Sequence, residues 1–217
     1  MKDKENTIKI ISCILIAILL VLGTTIGLAY AARHARAVIR LGDITVDGST
    51  VTYVASFYKM KYIEKHNHEG SGDSVKFWQS MTEDGITHEA DFKQEFGEFM
   101  RLTVAKAYLY ITLHGYTQDD KIAVAQKSDD VLREYANGSI AEFNHVAEAY
   151  GFDYNDFQNA DALFYKADKA DELFPSMMGE EEYERRLMEA YEAVEFNDYY
   201  SKIDIIAVPI INDYYAR

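Results

Sequence analysis

From Ile10 to Ala32 the chain runs for 23 residues without a charged side chain. As a helix rising ~1.5 Å per residue, that run reaches ~34 Å, enough for a hydrocarbon core of ~30 Å. A helix buried in a water-soluble core rarely keeps charge away over such a length, so the segment reads as membrane-inserted. Two forms of insertion fit it. One is an uncleaved anchor. The other is a cleaved signal peptide, with Lys2, Lys4 and Lys9 leading the apolar run and Ala29-Tyr30-Ala31 offering an A-x-A-like site. The run is longer than the ~7–15 residues of a usual signal core, which favours the anchor. Cys13 sits too early to be a lipid-attachment cysteine and reads as a small apolar residue of the same segment.

The segment divides the chain into residues 1–32 and a domain of residues 33–217. The 217 residues carry a net charge of −14, and residues 32–217 hold 19 basic against 34 acidic side chains. So acidic a surface argues against binding a phosphate backbone, and no nucleic-acid partner is expected. The single cysteine excludes an intramolecular disulfide framework and a thiolate zinc site. With only 2 prolines, long stretches are free to form unbroken helices. Arg33, Arg36 and Arg40 form a short basic stretch that reads as a stop near lipid headgroups.

The fold class expected is mostly α: an N-terminal transmembrane helix, then a helical domain closed by a small β-sheet pairing N- and C-terminal strands. Val38 to Val46 reads as short strands, with a turn at Asp47-Gly48 before Val51. A helix is expected from Thr52 to about Lys65. A polar loop, His66 to Asp73, then leads to Val75, Phe77 and Trp78, which should return to the core. Thr87 is placed to cap a helix of about 27 residues, apolar nearly all round in its second half and ended by Gly115. Thr117 with Asp119 and Asp120 opens the next helix, and Asn137-Gly138 stops it. Ser139 and Glu142 form a capping box for a short helix. Further helices are expected from Asn155 to Leu173, closed by Pro175, and from Gly179 to about Tyr199. Ile203 to Ile211 is β-branched and reads as a strand, directed to a sheet edge by Pro209.

No motif marks a catalytic, cofactor or metal site. His66, His68 and Glu69 are metal-capable, with Asn67 among them, but a Gly/Ser loop does not fix the further ligand a zinc ion needs. They read as a solvated loop. Glu142 and His145 match half of a di-iron helix motif, and no second Glu-x-x-His exists in the chain. Asp153 to Gln158 begins like a calcium loop but has Phe157 and Gln158 where ligand and glycine belong, so it reads as a helix N-terminus. Asn137-Gly138-Ser139 fits a glycosylation sequon, yet a turn and a cap explain it. The 17 tyrosines and 11 phenylalanines either pack a core or line a cleft for apolar peptide, and Met177-Met178 would suit such an adaptable surface.

The order of these elements, with Leu113 to Asp120, the helix from Ala141 to Gly151, and Tyr199 to Ile203, resembles the chaperone domain of SurA/PrsA-type extracytoplasmic foldases, related to the peptide-binding part of trigger factor. The resemblance covers about residues 38–211. It implies a domain exported from the cell and held at the membrane by a single pass, with unfolded or exported polypeptides as partners. Such foldases usually carry a parvulin prolyl-isomerase domain, for which these 217 residues leave no room, so the resemblance implies binding without catalysis and without a cofactor. The alternative is an envelope structural or assembly protein that holds one specific folded partner. A third reading, an enzyme, would rest on His66 and His68.

Overall fold

The short strands expected at residues 38–46 pair as a hairpin. In the computed structural model, which describes residues 37–66 and 72–210, β1 (Ala37–Leu41) and β2 (Ile44–Asp47) run antiparallel. Gly42 makes the turn. Its φ of +56° favours glycine, and a Cβ there would lie 2.8 Å from the Tyr108 ring. A bulge between Ala37 and Ile39 breaks the alternation, so that Val38 and Ile39 are both fully buried.

The first helix, α1 (Gly48–His66), starts at the residue where the sequence suggested a turn. Asp47 accounts for the shift: its carboxylate accepts the Thr50 amide at 2.7 Å and the Ser49 hydroxyl at 3.1 Å, which is N-cap geometry. α2 (Val75–Gln79) is one short turn capped by Ser74. Phe77 and Trp78 are buried as expected, while Val75 is 71% exposed and does not return to the core.

The cap signals in the middle of the chain are realised. Thr87 caps α3 (His88–Leu113), and Gly115 follows it at φ +89°. Thr117 and Asp120 form a reciprocal capping box for α4 (Gln118–Ala136), and Asn137 at φ +49° ends that helix. Ser139 caps α5 (Ile140–Ala147), but Glu142 does not close a box; its carboxylate accepts from the Asn137 amide instead. Asp153 caps α6 (Tyr154–Met178).

Pro175 does not close α6, which continues to Met178. A proline late in a helix forfeits one backbone bond but leaves the rest of the final turn intact. Here the Gly179 amide bonds the Pro175 carbonyl at 3.0 Å, and fully buried Phe174 holds the turn to the core. α7 (Glu180–Glu192) ends well before Tyr199. The Arg101 guanidinium donates to the carbonyls of Tyr191 (3.3 Å) and Val194 (2.7 Å), taking up acceptors at the helix end.

The largest departure concerns the closing strand. The third strand is β3 (Glu195–Phe196), paired antiparallel with β1 to give the order β2-β1-β3. Residues 203–210 form turns, not a strand, and Ile211 lies outside the described residues. Asp204 accepts the amides of Ile206 and Ala207 at 3.2 Å each, which bends the chain. The carbonyls of Ile206 and Val208 accept from the Lys59 ammonium at 2.5 and 2.9 Å. The β-branched side chains of this stretch supply burial, at Ile205 and Val208, and not pairing.

The outcome is a mostly helical structure with a small three-stranded antiparallel sheet. The long α3 lies at its centre against α6 and α7, with Phe92, Phe96, Met100, Val104 and Ala107 fully buried along it. Among the described residues, no helix is long and apolar enough to cross a membrane. The expected transmembrane segment, with Cys13, lies outside the described residues.

Candidate functional site

One face of α6 repeats Phe157, Asp161, Phe164 and Asp168, a spacing that stacks alternating rings and carboxylates along a helix. Opposite it, α1 presents Tyr53, Phe57 and Lys61 at successive i, i+4 steps, and α4 presents Lys127 and Val131. With Phe99 of α3 these residues line an open cavity of about 310 Å³. That volume is near the lower end of the ~300–1,000 Å³ typical of ligand clefts.

The groove has an aromatic floor and a charged rim. Tyr53 and Phe157 are buried and meet edge to face at 5.8 Å, and Tyr53 also packs on Phe152 at 4.9 Å. Burial, with Asp161 nearby, pushes the Tyr53 phenol far above its usual range, so it is a neutral wall. Phe57, Phe99 and Phe164 are only half-buried, and Phe99 meets Phe164 at 6.1 Å. On the rim, the Lys61 ammonium lies 4.2 Å above the Phe57 ring. Lys127 bonds Asp161 at 2.5 Å; the lysine is exposed and the aspartate 7% exposed. Phe99 also belongs to a second cavity of about 320 Å³, where Tyr58 stacks on it at 4.8 Å. Such walls offer apolar ring faces beside two lysines and two aspartates.

The residues singled out from sequence are placed differently. His66 is the last residue of α1, half-buried and stacked on Tyr62 at 4.4 Å, while Asn67, His68 and Glu69 lie outside the described residues. Its imidazole is held below its usual pKa by burial first and by Lys65 second. Glu142 and His145 are both exposed on α5. Asp153 and Asp156 serve the start of α6: Asp153 is the cap, and Asp156 accepts Ser49 at 2.6 Å and the Asp153 amide at 2.8 Å. Asn137 is a helix end. Met177 is 63% exposed at the end of α6 and does not line the groove, so the adaptable surface expected there is separate from the cavity.

None of the residues lining the groove stands out as a site in the sequence analysis above. The 157/161/164/168 spacing was the available signal. Among the described residues, three metal-capable side chains converge at one place: His66, Asp91 and Glu95. Compared with protein-family models, with curated proteins and with solved structures, the chain matches none.

Proposed function

We propose that this protein binds unfolded or exported polypeptide segments in the aromatic groove without catalysis, as a chaperone-like module held at a membrane by residues 1–32. The observation that supports this reading is the open cavity of about 310 Å³ with five aromatic rings and a rim of Lys61, Lys127, Asp161 and Asp168. Its apolar floor would take one or two bulky side chains of a client, and the exposed rim groups Lys61, Lys127 and Asp168 would stay hydrated beside them. The acidic surface, net −14, would keep a loaded complex soluble. This keeps to the SurA/PrsA-like reading of the sequence and to an extracytoplasmic placement of residues 33–217.

The test uses the full chain in detergent micelles with an aggregating client and a Phe57→Glu variant. The wild type should suppress client aggregation at stoichiometric amounts, and the variant should lose most of that suppression while keeping its far-UV circular dichroism. A wild-type chain with neither suppression nor peptide binding would rule the reading out. The Lys127–Asp161 pair at the rim favours one second reading, an assembly protein holding a single partner, because paired rim charges discriminate between partners. Cross-linking from membranes separates the two: one dominant partner favours assembly, a broad set of clients favours the chaperone.

A further inference from the structure

Where α1 meets the start of α3, an imidazole and two carboxylates face one another. Asp91 and Glu95 lie one turn apart on α3, so both carboxylates project from the same side. His66, at the end of α1, faces them. One ligand atom from each of the three lies within 4.8 Å of the others. Ligands ~2.0–2.2 Å from a zinc ion stand ~3–4 Å apart, so small rotamer changes close the set.

Three further features distinguish this cluster from a chance gathering of surface acids. First, the His66 Nε2 is buried and has no hydrogen-bond partner among the described residues. A buried polar atom without a partner is uncommon and is a reason to look for a missing ion. Second, the side chains are held from behind. The Tyr62 hydroxyl donates to Asp91 Oδ2 at 2.7 Å and lies 3.1 Å from His88 Nδ1, while the Tyr62 ring stacks on His66. Such outer contacts orient ligands at metal sites. Third, the competing cation is weakly placed. Lys65 bonds Glu95 Oε1 at 3.0 Å, but its side chain is 61% exposed, and exposed pairs contribute little. Among the described residues, Tyr58 and Tyr62 also face Glu95.

We infer that His66, Asp91 and Glu95 form a binding site for a divalent transition-metal ion, zinc being one that such a donor set holds. Two carboxylates balance the ion's charge, and three protein ligands leave a position open to water. The ion would tie the end of α1 to the first turns of α3. The groove is lined by other residues, so this site stands or falls independently of the peptide-binding reading.

Untagged full-length chain, stripped with a chelator, is titrated with zinc sulfate by calorimetry, alongside His66→Gln and Glu95→Gln variants. The expected result is one saturable site per chain, a melting temperature that rises with zinc, and affinity at least tenfold weaker in each variant. Cobalt(II) gives a readout that needs no variant: the wild type should show the intense d–d absorption of a four- or five-coordinate site. No saturable uptake, uptake undiminished in either variant, or only the spectrum of hydrated cobalt would overturn the assignment.

Discussion

Two aromatic regions of this molecule have similar content and opposite character. The rings of His66, Phe77, Trp78, His88 and Phe92 lie 4.4–6.4 Å from that of Tyr62, and Phe77, Trp78 and Phe92 are buried. In the groove, Phe57, Phe99 and Phe164 stay half-open. What differs is the cover. α2 folds over the first region, and Asp73 fixes it there by accepting Trp78 Nε1 at 2.6 Å and Lys59 Nζ at 2.8 Å. Among the described residues, no equivalent turn crosses the groove. An aromatic surface thus becomes core or cleft according to whether a short, capped segment can afford to lie across it, not according to its own composition.

The comparison can be broken by substitution, and the largest effect belongs to the closed region. Trp78→Ala should destabilise by about 3–5 kcal/mol in urea unfolding, since it empties a packed site. Lys59→Met should cost about 2–4 kcal/mol, because Asp73 and two carbonyls lose their charged donor. It should also speed hydrogen exchange and proteolysis across residues 203–210. A smaller loss, about 1–3 kcal/mol, is expected for Asp120→Asn. Asp120 is 7% exposed; burial alone would raise its pKa, but bonds from Thr117, Tyr110 and Tyr165 bring it to about 2. A folded-state pKa below the ordinary carboxylate value contributes stability above that value and loses it as pH falls through the folded one. Stability measured from pH 4 down to 2 should therefore fall less steeply in Asp120→Asn than in wild type. The smallest effect belongs to the open region: Phe57→Ala should change stability by under about 1 kcal/mol, as half-exposed positions usually do, while weakening peptide binding in a fluorescence titration. Equal destabilisation by Trp78→Ala and Phe57→Ala would erase the distinction.

The helix ends were legible because a cap is a local event. Thr87, Thr117, Ser139 and Asn137-Gly138 satisfy amides or carbonyls within a few residues of themselves, and sequence shows those neighbours. The two largest misreadings, the closing strand and the end of the last helix, involve a distant partner. Residues 203–210 have strand-like side chains, but the Ile206 and Val208 carbonyls go to Lys59, far away in sequence. α7 stops where Arg101 of α3 binds the carbonyls of Tyr191 and, past the helix, Val194. The α6 face of the groove was readable as a spacing, yet only packing brings α1 and α4 opposite it. His66 drew notice for its sequence neighbours, and the fold gives it Asp91 and Glu95.

The sheet order β2-β1-β3 also has a consequence in time. β1 is the middle strand, yet one of its two edges is paired by Glu195–Phe196, more than 150 residues later in the chain. During synthesis, β1 and β2 emerge early and must wait with one edge bare until almost all the helices have been made. A bare strand edge is an invitation to pair with other chains. The nascent form of this protein therefore passes through a stage in which it is itself a candidate for assisted folding, and the two-residue length of β3 limits how much stability the final closure adds.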